Sequence, residues 1–133
     1  MSQENVELVR QVYDAAARRD TPAVHALYDE SVELDNSGLG LVGGGVYRGH
    51  DGLRRFFREW QEAWDHVEYD YDALIDAGEY VISLVTRQGQ GRASGIAVEM
   101  PLALVWTIRD GKVVRVVWYH TRDDALEAIR VAE

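Results

Sequence analysis

No cysteine occurs in the 133 residues. That absence excludes disulfides, thiolate-held metals, iron–sulfur clusters and a cysteine nucleophile. Lysine occurs once, as Lys112 in Asp110-Gly111-Lys112, which reads as a hairpin turn and leaves no buried Schiff-base lysine. Positive charge is scarce: 14 Lys+Arg stand against 23 Asp+Glu, for a formal net charge of −9. The arginines are scattered singly or in pairs such as Arg18-Arg19 and Arg54-Arg55. Phosphate neutralisation needs a basic patch, so no nucleic-acid partner is expected. No stretch approaches the ~20 apolar residues of a membrane span. Met1-Ser2-Gln3-Glu4-Asn5 is polar with no apolar run behind it, so no signal peptide and no membrane partner are expected, and the protein is placed in the cytoplasm. Five serines occur, none in a Gly-x-Ser-x-Gly elbow, which leaves acyl-enzyme chemistry without support. His25, His50 and His66 fall on helix surfaces or ends with no partner at ligand spacing, so neither a metal nor a cofactor is expected.

What the chain does have is apolar and aromatic surface: 47% hydrophobic residues, with four tryptophans and seven tyrosines. The length fits one domain over residues 1–133, large enough to bury roughly two-thirds of its unfolded surface. Glu4 to Arg19 has helical rhythm, with Val6, Val9, Tyr13 and Ala16 on one face. Thr21 before Pro22 reads as an N-cap opening a short second helix that carries Val24, Leu27 and Tyr28. A brief strand, Ser31 to Asp35, is broken by Asn36-Ser37-Gly38.

Gly38 to Gly49 holds six glycines, without the Gly-Lys-Ser/Thr ending of a phosphate loop or the spacing of a dinucleotide fingerprint. It reads as a pocket-rim flap or a plain loop, with a nucleotide cradle as a remote third. Asp51 to Asp65 is the strongest helix, with Leu53, Phe56, Phe57, Trp60, Ala63 and Trp64 on one stripe. The period then changes to two. Val67, Tyr69 and Tyr71 alternate with acids as a half-buried strand, followed by strands at Tyr80 to Gln88, Ile96 to Arg109 and Val113 to Thr121. Asp123 to Val131 closes as a helix. Hairpin-linked strands behind a group of helices give an α+β class with an antiparallel sheet.

Several segments resemble the nuclear-transport-factor-2-like superfamily, in particular its bacterial SnoaL-like members. They are Val12-Tyr13-Asp14-Ala15 with Arg19-Asp20, Val32-Glu33-Leu34-Asp35, Val46-Tyr47-Arg48-Gly49-His50-Asp51-Gly52-Leu53, Ile75-Asp76-Ala77-Gly78-Glu79, and Val105-Trp106-Thr107-Ile108-Arg109-Asp110-Gly111-Lys112. The resemblance implies a cone-shaped fold in which a curved antiparallel sheet wraps around an N-terminal helical layer. It also implies one deep apolar pocket between the third helix and the sheet, and a homodimer. The superfamily includes ketosteroid isomerase, scytalone dehydratase, limonene epoxide hydrolase and polyketide cyclases, so it specifies fold more than chemistry.

Alternation along Ile96–Arg109 puts Val98, Met100, Leu102, Leu104, Trp106 and Ile108 on the concave face. The same parity puts Val114, Val116, Trp118 and His120 there from the following strand. The outer set, Ala97, Ala103, Val105, Val113, Val117 and Tyr119, is apolar enough to suggest the dimer face. Tyr13, Phe56, Trp60, Trp64, Met100, Trp106 and Trp118 are therefore the candidate ligand-binding residues, each of which has core packing as its plainer reading. Two candidates for general acid/base work follow. His120 sits at the open end of an apolar strand face, or else caps the strand against the last helix. Asp35 lies where ketosteroid isomerases carry a base aspartate in Val-Glu-Asp, with Leu34 intervening here; alternatively it begins an Asx turn.

The other catalytic sets of the superfamily are incomplete. Trp118 stands where limonene epoxide hydrolases have an aspartate, and the second histidine of scytalone dehydratase has no counterpart. The expected function is a small-molecule-binding protein for a flat or polycyclic hydrophobic ligand. The alternative is a cofactor-independent isomerase, cyclase or hydrolase using Asp35 or His120.

Overall fold

A computed structural model describes residues 2–39, 45–67, 71–91 and 94–132, with side chains at all of these except 2, 60, 61, 63–67, 87–91, 98 and 132. The chain runs α1 (Ser2–Ala17), α2 (Thr21–Leu27), β1 (Tyr28–Asp35), a 3₁₀ turn (Ser37–Leu39), β2 (Val46–Arg48), α3 (Gly49–Ala63), β3 (Trp64–Val67), β4 (Ala73–Ala77), β5 (Tyr80–Gly91), β6 (Ala97–Arg109), β7 (Lys112–Tyr119) and α4 (Arg122–Ala132). The class is α+β, with a curved sheet in the order β2-β1-β7-β6-β5-β3 and β4 also paired to β5.

Local chemistry sets the joints. α1 stops where Arg19 takes a left-handed φ of 58°, a conformation a helix cannot continue. α2 is capped by Asp20, whose carboxylate accepts from the Ala23 amide at 3.2 Å. The expected cap, Thr21, lies one residue inside the helix, because Asp20 supplies the acceptor first. Asp110 and Gly111, at φ 51° and 73°, form the two-residue turn between β6 and β7 that its sequence predicts. Thr121 opens α4, its hydroxyl accepting from the Asp124 amide at 3.0 Å.

The sheet differs from the expected one in three ways. It is mixed, because β1 runs parallel to β7. Antiparallel pairing follows from hairpins, and β1 reaches β7 from far along the chain rather than through a hairpin. Two strands were not anticipated: β2, three residues long, and β4, which pairs with the first half of β5. The alternating stretch Val67 to Tyr71 is divided, with β3 ending at Val67 and residues 68–70 outside the described set. Of the glycine-rich segment, residues 40–44 lie outside the description. On either side, Asn36 accepts from the Gly45 amide through its side chain at 2.7 Å and donates its own amide to the Gly45 carbonyl at 3.1 Å.

Two apolar clusters result. The inner one joins Val9, Val12 and Tyr13 of α1, Val24 of α2 and Leu53 and Phe56 of α3 to the concave face of the sheet. Leu102, Leu104, Trp106 and Ile108 of β6 belong to it, as their parity predicts, and Met100 packs at its edge. In β7 the inner residues are Val113, Val116 and Trp118, not Val114. Thr107 pairs with Arg115 and Ile108 with Val113, so Val114 is the extra residue of a bulge and the alternation shifts there. The outer cluster packs Ala125 and Ile129 of α4 on Ile82, Ala103 and Val105. Part of the outer apolar face thus has its cover within the chain.

α3 is fitted tightly against β2. A Cβ on Gly52 would stand 2.9 Å from the carbonyl carbon of Tyr47, a residue only 4% exposed. Helix propensity alone favours alanine over glycine by about 1 kcal/mol. Overpacking here outweighs that gain, so Gly52→Ala is expected to lose ~1–3 kcal/mol in a urea-denaturation measurement. A more stable variant would contradict the close approach.

Candidate functional site

The space between the helices and the concave sheet is a narrow cavity, with about 40 Å³ open to the centre of a water-sized sphere. α1 contributes Val12, Tyr13 and Ala16 to its wall, and α3 contributes Leu53, Phe56 and Phe57. Val24 comes from α2, Tyr28 and Leu34 from β1, and Leu104, Trp106 and Trp118 from β6 and β7. None of these side chains carries a charge. Their rings meet one another: Tyr13 lies 5.7 Å from Trp106, Tyr28 lies 6.4 Å from Trp106, and Phe56 lies 5.4 Å from Trp118. The deep pocket implied by the resemblance is thus a slim one among the described residues, because the rings converge across it.

One polar node interrupts this apolar interior. Ser83 of β5 is fully buried, between Val81 and Val85 on the concave face. The Trp106 indole Nε1–H donates to Ser83 Oγ at 2.8 Å, and Tyr13 Oη shares a hydrogen bond with the same oxygen at 2.9 Å. Indole is donor-only, so Ser83 must accept there, and its hydroxyl keeps one proton and one further lone pair for Tyr13. The phenol of Tyr28 is held far above its usual ionisation range, mainly by burial and further by the nearby Tyr13. It stays neutral at any physiological pH and acts as a hydrogen-bonding group rather than a charge.

The sequence-based candidates fall on both sides of the sheet. Tyr13, Phe56, Trp106 and Trp118 are brought together in the cavity wall. Met100 is half-buried at the edge of the core and does not line the cavity. The side chains of Trp60 and Trp64 lie outside the described residues. Asp35 is not brought to the cavity. Val32 and Leu34 take the inner face, so Asp35 points outward with Glu33. Its carboxylate accepts from the Ser37 amide at 3.0 Å and the Ser37 hydroxyl at 2.6 Å, an Asx turn. On that outer face it also raises the ionisation range of Tyr119, behind the larger effect of burial.

His120 is exposed just beyond β7, and the cap of α4 is Thr121 rather than His120. Sequence reasoning missed Ser83, although a lone serine between Val81 and Val85 in the apolar first half of the strand was a readable signal. It also missed Tyr28 as a wall residue, having placed it on the second helix. Among the described residues, no group of three or more histidines and carboxylates converges as a metal site, and no helix is long and apolar enough to cross a membrane.

A helical layer on a curved mixed sheet, with an aromatic-walled space between, defines the nuclear-transport-factor-2-like class. The SnoaL-like domain family matches residues 9–116, and the chain belongs to it. Among solved structures, an NTF2-like protein from Burkholderia thailandensis E264 is 30% identical, with 93% of this chain and 95% of that one covered at a TM-score of 0.79. An NTF2-like protein of unknown function from Burkholderia pseudomallei K96243 is 26% identical, with 93% and 95% covered at 0.79. TerC, co-crystallised with polyporic acid, is 24% identical, with 96% and 98% covered at 0.78. A comparison with curated proteins finds no match.

The Ser83 node supports a direct test. Ser83→Ala removes one oxygen yet strands the indole N–H and the Tyr13 hydroxyl, at an expected cost of ~1–3 kcal/mol. Trp106→Phe made in the Ser83→Ala background should cost less than in the wild type, a coupling measured by a double-mutant cycle. Strictly additive losses would show that the bond contributes nothing.

Proposed function

We propose that the cavity binds a small, flat, neutral and largely apolar molecule, and that the protein works as a binder. The observation that carries this reading is the cavity wall itself, ring-rich and uncharged between α3 and the sheet. Ligand sites of this kind are mostly apolar with a few placed polar groups. The polar groups carried by this wall are the Tyr13 and Tyr28 phenols, the Trp106 indole N–H being given to Ser83; the phenols suit a carbonyl or hydroxyl oxygen on the ligand, and the wall holds no counter-charge for a carboxylate or an ammonium. A flat molecule slips between Phe56 and Phe57 on one side and Trp106 and Trp118 on the other with small ring movements. A single-ring compound needs less movement than a polycyclic one. TerC, of the same fold, was co-crystallised with polyporic acid, which supports a small molecule as the partner of this chain.

The alternative, a cofactor-independent isomerase, cyclase or hydrolase, has less support. It needs a base beside the bound molecule, and both Asp35 and His120 stand away from the cavity wall. A homodimer through the outer sheet face belongs to this proposal on narrower grounds. Ala103 and Val105 are covered by α4 and Val113 faces inward, leaving the exposed Ala97 and the half-buried Val117 and Tyr119 as its motive.

The test is a size series of neutral aromatic ketones and phenols, from one ring to three, titrated against tryptophan emission. Saturable change is expected, strongest for the smaller members. Trp118→Ala should weaken binding of the best member by ~1–3 kcal/mol through lost contact area. Asp35→Asn and His120→Gln should leave affinity within about twofold, as exposed substitutions do. No saturable change across the series would overturn the binding reading. Sedimentation of the same preparation at the mass of one chain would remove the dimer.

A further inference from the structure

Two histidines that the cavity does not use meet where α2, β1 and α3 join. His25, in the last turn of α2, and His50, in the first turn of α3, have ring centroids 5.5 Å apart with planes at 66°. His50 Nε2 lies 3.0 Å from the Tyr28 carbonyl, and a carbonyl only accepts, so Nε2 carries the proton and donates. The Tyr28 amide donates in turn to the His25 carbonyl. His25 Nε2 is fully occluded and has no hydrogen-bond partner among the described residues. Buried polar atoms are rarely left so, and each such case calls for a reason.

The charged groups around the pair leave His25 no free carboxylate partner among those that face it. From α3, His25 faces His50 and Arg54, and Arg54 is ion-paired with Asp51. From β1, Asp29 interacts with His50, but its carboxylate is already engaged by the amide and hydroxyl of Ser31. From β7, Lys112 bonds the Ala26 carbonyl at 2.5 Å and adds a further positive charge near Asp29.

We propose that the His25–His50 contact is an acid-released latch holding α2 against α3 on the wall of the cavity. While His25 is neutral, its ring packs against His50 at the cost of one unbonded nitrogen. A proton on that ring adds a donor with no acceptor and a cation beside His50 and Arg54. Swinging out to water relieves both. Val24 precedes His25, Tyr28 supplies the carbonyl that His50 holds, and Leu53 follows His50 on α3; all three line the cavity. Release therefore loosens three wall residues together, whatever the cavity holds.

Burial, then His50 and Arg54, lower the His25 ionisation range below its ordinary 6.5. Between the lowered value and 6.5 the unfolded or opened chain binds more protons than the closed one. The latch is then fully effective above 6.5 and is lost as pH falls through that window.

The experiment uses the full chain, with histidine ring resonances and amide exchange followed by NMR between about pH 7.5 and pH 5.5. His25 is expected to titrate below 6.5. Over the same range the protection of the Val24 and Tyr28 amides, corrected for intrinsic exchange, should be lost progressively while that of β6 amides holds. His25→Phe keeps a ring that cannot take a proton and should abolish the pH dependence at those amides. A His25 titration at or above the ordinary value, or an equal fall in His25→Phe, would overturn the latch. Should His25→Phe fail to fold, the wild-type chain decides alone: unchanged α2 protection across the His25 titration overturns it.

Discussion

The hydrogen bond from the Trp106 indole to Ser83 Oγ is the buried polar contact around which the concave face is arranged. It pins one of the two indoles of the concave face in one orientation, and through Tyr13 it ties α1 to the middle of the sheet. Leaving the indole N–H unpaired in that interior would cost ~1–3 kcal/mol, so the ring does not rotate to fill the space beside it. The cavity persists for that reason. An all-aliphatic interior would be free to close over it, whereas a ring held by its own donor is not.

The sheet separates two environments with different chemistry. Its concave side carries the apolar wall and the neutral phenols. Its convex side carries α4, the Asx turn of Asp35, and Glu33 paired to Arg48 at 3.3 Å and to Arg115 at 3.1 Å. Of the two groups that residue chemistry singled out, the Asp35 carboxylate belongs to the side without the cavity, and His120 is exposed beyond the end of β7. That separation, more than any missing motif, is what favours binding over catalysis.

Much of this was legible residue by residue. β6 runs as an unbroken ladder against β5 from Tyr80 to Gln90, so simple alternation assigned Leu102, Leu104, Trp106 and Ile108 to the inside. Alternation failed in β7 because one extra residue, Val114, shifts the period, and no single-sequence pattern marks such a bulge. Alternation put Asp35 on the face opposite Val32 and Leu34, but which face is concave depends on β1 lying parallel beside β7, a pairing no hairpin announces. Tyr28 read as helical because the apolar spacing of α2 runs through it, yet it takes an extended φ of −99° and starts β1. The outer face looked ready for a partner because the way α4 folds back over β5 and β6 is not encoded in spacing along the chain. The contact of His25 with His50 depends on how α2 and α3 pack, which spacing along the chain does not encode.

The same fold carries many functions, so family membership leaves the use of the cavity to its own chemistry. The most direct measurement follows the four tryptophan indole N–H signals in a two-dimensional NMR spectrum as a one-ring aromatic ketone is added. Substitution of each tryptophan by phenylalanine assigns the signals. If the cavity is the binding site, the Trp106 and Trp118 signals move together and saturate with one affinity. Movement confined to surface amides, with both of those indole signals unchanged at saturating ligand, would contradict it.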